Sequence, residues 1–149
     1  LLDGHDLDGV VAVGGDAREY AVAELGVGAY AFGLLGHAFE MAQGSDTHLT
    51  LFPGEIDLIP EALELARDGI LPAGMYRNRH YAEAAVDPGS TELAVQDMLY
   101  DPQTSGGLLI AAAPEDADAL LRELRGAVPS AQRIGVVEAY NGGPRISLR

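Results

Sequence analysis

The stretch Asp101-Pro102-Gln103-Thr104-Ser105-Gly106-Gly107-Leu108-Leu109 constrains the fold of this chain more than any other, because a polar turn ending in two glycines runs directly into an apolar segment. Pro102 disfavours helical backbone at Asp101 and has no N–H to continue a ladder, so a helix arriving from the 90s has to stop there. The uniformly apolar run Leu108 to Ala113 then reads as a central strand covered on both faces. Between them, Thr104 and Ser105 offer hydroxyls. Gly106 and Gly107 permit positive φ and close approach of a ligand to the backbone, so successive N–H groups there can form a concave anion site. Phosphate is the natural guest of such a site, although a ligand-free helix-to-strand turn uses the same residues.

Punctuation elsewhere divides the chain into short elements. Val10 to Val13 reads as a buried strand closed by Gly14-Gly15, and Asp16 as the N-cap of a helix over Ala17 to Leu25. Asp3 to Gly9 looks superficially like a calcium loop, but aligning its glycine puts Gly4 and Gly15 at the first and last ligand positions, so it reads as an acidic turn. A helix over Leu34 to Gln43 carries Leu34, Leu35, Ala38, Met41 and Ala42 on one stripe. Two short strands are expected around Pro53-Gly54 within 47–58. Pro60 opens a helix on which Leu63, Ala66 and Ile70 follow Ile59. Leu71 to His80 reads as a loop, and Ser90 as the cap of a helix to about Leu99. Pro114 starts an acidic-to-basic amphipathic helix ending before Gly126. Ile134 to Ala139 and Arg145 to Leu148 read as a hairpin across Asn141-Gly142-Gly143. The order implies one α+β domain, a mixed sheet with helices on both faces.

Charge and composition exclude several function classes. A net charge of −14 over 149 residues argues against nucleic acid as a partner, since neutralising its phosphates requires clustered cations. All nine basic residues are arginine, which excludes a phosphate-binding P-loop lysine and Schiff-base chemistry in this chain. Cysteine is absent, and with it thiolate nucleophiles and zinc–thiolate sites. No apolar run approaches the roughly 20 residues that span a bilayer, so no membrane association is expected. Two further groups bear on anions or metals. The helix start at Gly33 and Gly36 offers free N–H groups to an anion or, alternatively, close packing; Arg77 and Arg79 form the densest basic pair. His37 and Glu40, three apart on one helical face, read as a local polar pair rather than metal ligands.

The string DPQTSGGLL closely resembles the signature of the C-terminal domain of selenophosphate synthetase (selenide, water dikinase), in the superfamily that includes aminoimidazole ribonucleotide synthetase. Phe32-Gly33-Leu34-Leu35-Gly36-His37, with Glu40-Met41, is similar to that family's FGLLGH segment, and Gly74-Met75-Tyr76-Arg77-Asn78 to its Gly-x-x-x-Asn loop. The three follow in family order. The resemblance covers residues 28–149, and 1–27 match poorly.

This resemblance implies the fold of that C-terminal domain and a partner, an N-terminal ATP-binding domain absent from this chain, whose start at Leu1 fits such a division. It implies an enzyme that turns selenide, ATP and water into selenophosphate, AMP and phosphate with Mg²⁺, working as a cytoplasmic homodimer. This domain would form one wall of the nucleotide/phosphate cleft. The catalytic residues would belong to the other half, so the isolated chain is expected to be inactive and to hold neither ATP nor Mg²⁺ alone. By resemblance the phosphate- or substrate-facing candidates are Gly33, Gly36, Asn78, Asp101, Gln103, Thr104, Ser105, Gly106 and Gly107. The Asp101–Gly107 turn is expected to lie beside the Gly33 helix start. One departure stands out. Gly28 occupies the place of a family aspartate thought to bind metal, and glycine offers no side-chain oxygen to Mg²⁺. That leaves two alternatives: a non-catalytic relative that keeps the fold and a partner surface, or another enzyme of the superfamily.

Overall fold

The computed structural model describes residues 10–14, 22–24, 32–103 and 108–149. Among these residues seven strands form one mixed sheet: β1 (Val10–Gly14), β2 (Val22–Glu24), β3 (Thr47–Leu51), β4 (Val86–Asp87), β5 (Leu108–Ala112), β6 (Gln132–Ala139) and β7 (Ile146–Leu148). Their spatial order is β2-β5-β1-β6-β3-β7-β4. β5, β1 and β6 run parallel, with β2 antiparallel to β5 at one edge. β3 reverses direction against β6, and β7 and β4 run parallel to β3.

Five helices accompany the sheet: α1 (Gly33–Gly44), α2 (Pro60–Arg67), α3 (Ala73–Ala82), α4 (Leu93–Leu99) and α5 (Pro114–Ala127). The apolar stripe of α1 buries Leu35, Ala38, Met41 and Ala42 against Leu49, Leu51, Ile134, Ile146 and Leu148 of the sheet. Met75 and Ala82 of α3 and Leu99 with Tyr100 close the same core. α5 forms the crossover between parallel β5 and β6. It packs beside β1 with a cluster of its own, Ala117 with Leu121 and Leu124, separate from the α1 core. The α+β domain with helices on two faces is thus observed. Pro60 and Pro114 each occupy the first turn of their helix, where the missing N–H costs no hydrogen bond.

Several local expectations are corrected. The hairpin across Asn141-Gly142-Gly143 does not form, because β3 lies between its two arms: Leu49 pairs with Val137 on one side and Ile146 on the other. The turn chemistry is nevertheless real, with Gly142 and Gly143 at φ 93° and 83°. Leu71 to His80 is not a loop, since residues from Ala73 onwards form α3, whose narrow buried face consists of Met75, Asn78 and Ala82. Residues 47–58 hold one strand, β3, and not two; Pro53–Glu55 form a 3-10 turn, where the Phe52 N–H bonds to Ile134 O at 2.7 Å. α4 begins at Leu93 rather than after Ser90, because Thr91 N–H closes a turn onto Pro88 O at 3.0 Å. α5 continues through Gly126 to Ala127. Residues 22–24 form an edge strand where a helix was expected. β5 is second from that edge, not central, and only Leu109 and Ala112 along it are buried.

Candidate functional site

The first turn of α1, the inner face of α3 and the segment 100–102 meet at one junction. Gly33 opens α1 with φ +67°, and a Cβ built there would lie 2.6 Å from the Tyr100 carbonyl carbon, 2.7 Å from its oxygen and 3.0 Å from the Asp101 oxygen. Torsion and space both demand glycine at this position. Asn78 reaches the same carbonyl from α3, its Nδ2 donating to Tyr100 O at 2.8 Å. One turn earlier on α3, Gly74 faces Pro102, whose Cγ would stand 2.6 Å from an added Cβ. Residues four apart lie on one helical face, so Gly74 and Asn78 grip adjacent points of the same segment.

Tyr100 is the hub of this junction, and nothing in the sequence beyond its place before Asp101-Pro102 marks it. It is 2 % exposed. Burial pushes its phenol up to about 12 against the opposing pull of the Arg79 guanidinium, which sits 5.0 Å from the ring centroid. Arg79 also donates to Asp97 Oδ1 and, at 3.4 Å, to Gln96 Oε1, tying α3 to α4. The expected basic pair is therefore divided: Arg79 is committed to α4, while Arg77 is exposed. The Asp101 N–H bonds to Met98 O at 3.1 Å, and burial raises the Asp101 carboxyl above its ordinary range.

Around the start of α1, Phe32 stacks on Tyr81 at 4.9 Å and meets His37 edge-on at 5.8 Å. Phe32 makes no side-chain cap to this helix, and no acidic residue occupies its first turn. His37 and Glu40 form the expected local pair at 3.5 Å. Burial lowers the imidazole's affinity for a proton, and Glu40 partly offsets the effect.

The candidate residues divide by what surrounds them. Gly33 and Asp101 are brought together, and Gln103 is exposed beyond Pro102. The Cβ that Gly36 lacks would fall on the Cβ of Phe32, so this glycine serves packing of the helix start. Asn78 is 7 % exposed, and its Nδ2 is directed at the chain's own Tyr100 carbonyl. Thr104, Ser105, Gly106, Gly107 and Gly28 lie outside the described residues. Among the described residues no three His, Asp or Glu side chains cluster as metal ligands. No helix among the described residues is long and apolar enough to cross a membrane.

Residues 31–145 match the family described as "AIR synthase related protein, C-terminal domain". The chain is 48 % identical over 95 residues to "Selenide, water dikinase" from Clostridioides difficile, an overlap of 63 % of this chain and 27 % of that protein. It is 49 % identical over 89 residues to "Selenide, water dikinase 2" from Peptoclostridium acidaminophilum, covering 60 % and 26 % of the two chains. A "Selenide, water dikinase" from Desulfitobacterium hafniense is 42 % identical over 113 residues, 76 % of this chain and 33 % of that one. The matched region thus spans about a quarter to a third of the length of these relatives.

Proposed function

The chain belongs to the AIR synthase related C-terminal domain family, and on that premise we propose that it forms one wall of the nucleotide/phosphate cleft of a selenide, water dikinase. The observation that carries this reading is the junction at Tyr100. There the start of α1 is held against residues 100–102, with Gly33 in contact range of both Tyr100 and Asp101. The start of α1 is one stretch of backbone able to offer N–H groups to an oxyanion, and in this reading the Gly106-Gly107 turn supplies the other.

In this reading the chain binds and orients phosphate and excludes water from it. The nucleophile and the groups that hold ATP and Mg²⁺ reside in an N-terminal ATP-binding domain, within a cytoplasmic homodimer. The chain's lack of cysteine and lysine supports that division, because neither a thiolate nor an ammonium is available here. Gly28 motivates a second reading, a relative that keeps the fold and has lost the chemistry, since no oxygen ligand is offered where the family has an aspartate.

A chimera decides between them. The N-terminal part of the Clostridioides difficile relative, fused ahead of this chain, is expected to convert ATP to AMP in a selenide-dependent reaction, whereas the isolated chain does not. A folded chimera without selenide-dependent AMP formation would select the non-catalytic reading. Turnover proportional to the concentration of the isolated chain, with contaminating enzyme excluded, would overturn both the division of labour and the inactivity of this half.

A further inference from the structure

We infer that Asn78 is a positioning residue: its side-chain N–H fixes the peptide group between Tyr100 and Asp101, and so sets the direction in which residues 101–103 leave α4, without itself meeting a ligand. The inference deepens the proposed function and rests on the reading that this segment leads into a phosphate-facing turn. That peptide group is held at both ends. Its N–H, on Asp101, bonds to Met98 O at 3.1 Å, and its C=O, on Tyr100, accepts from Asn78 Nδ2 at 2.8 Å. Gly33 lies against the same carbonyl, where an added Cβ would come 2.7 Å from its oxygen. Pro102 beds onto Gly74 one turn back along α3, so the next residue is placed by the same helix.

The remaining contacts of Tyr100 fix different coordinates. Its N–H bonds to Gln96 and Asp97 carbonyls, and its ring lies under Arg79; both secure the end of α4 and leave the carbonyl direction to Asn78. A buried carbonyl that loses its donor is costly, and the segment can recover a partner only by turning towards water. With Asn78 only 7 % exposed, the backbone it holds is a route by which its replacement would affect ligand binding.

The test uses the 149-residue chain, with Asn78→Leu to remove the donor at similar volume and Asn78→Asp to make it depend on protonation. Amide hydrogen exchange at Tyr100 and Asp101 is expected to accelerate about tenfold or more in Asn78→Leu, while β6 and β7 keep their protection. Asn78→Asp is expected to behave like the leucine variant at neutral pH and to recover protection on acidification, because a protonated carboxyl donates to the Tyr100 carbonyl and a carboxylate does not. Inorganic phosphate, followed by amide shifts at residues 101–109, is expected to bind about tenfold more weakly to Asn78→Leu. Unchanged exchange at Tyr100 and Asp101, or a uniform rise across the sheet, would overturn the inference. Should Asn78→Leu fail to fold, the two protonation states of Asn78→Asp provide the comparison. If the parent chain shows no phosphate-dependent shift while the exchange pattern appears as expected, the phosphate reading fails and the positioning role stands.

Discussion

Gly33 and the Gly142-Gly143 pair all have positive φ, yet they occupy opposite environments. At Gly33 the chain needs both the torsion and the empty volume, because Tyr100 and Asp101 backbone lies where a Cβ would be. At Gly142 and Gly143 nothing lies within 4 Å of an added Cβ, so only the torsion is at stake. Their turn is braced instead by Tyr140, whose hydroxyl donates to Gly143 O at 2.8 Å and whose ring lies 3.4 Å beneath the Arg145 guanidinium. A glycine in a sequence records a conformational permission. Whether it also records a close approach depends on what the fold places opposite it.

The comparison would break most directly at Gly33. Gly33→Ala combines the strain of a left-handed residue with displacement of a neighbouring backbone, and is expected to lose about 3 kcal/mol or more in urea unfolding. A loss near 1 kcal/mol would mean that the 100–102 segment yields easily. Gly143→Ala sharpens the other side, with an expected loss of about 1 kcal/mol from torsion alone. A loss as large as that at Gly33 would show that the open turn carries unrecognised packing.

The smallest expected effect is electrostatic and bears on what crowding at the Gly33 junction does to Asp101. Burial raises this carboxyl in the folded chain, so the native state holds its proton to higher pH than the unfolded state does. Its contribution is fully favourable below the unfolded value of about 3.8 and is lost as pH rises through the raised folded value. Asp101→Asn is accordingly expected to raise the unfolding midpoint slightly at pH 7 and to leave it unchanged below the unfolded carboxyl range. Destabilisation at pH 7 would assign the carboxylate a favourable partner.

The sequence revealed those elements whose causes are local. Pro60 and Pro114 mark helix starts through their missing N–H, and the stripe from Leu34 to Ala42 marks α1 through its period. α3 was missed because its buried face is held by one methionine, one alanine and a polar Asn78, which leaves almost no apolar periodicity to detect. The supposed hairpin failed for the converse reason: Asn141-Gly142-Gly143 gives a strong local signal, but β3 takes the place the two arms would share. For the site, resemblance suggested that the Gly33 and Asp101 stretches belong together. It gave no hint that Asn78 would hold Tyr100 or that Gly36 would accommodate Phe32.

The interposition of β3 has a kinetic consequence. β7 hydrogen-bonds to two strands that lie far earlier in the chain, so its pairing requires closure of a long loop, whereas a β6–β7 hairpin requires only a short one. A β6–β7 hairpin that formed first would have to open before β3 could pair with both strands. A slow refolding phase is expected, in which amide protection in β3 and β7 develops together, because β3 pairs with β7 only once it lies between β6 and β7. Simultaneous protection of all the strands would show that the short hairpin never traps the chain.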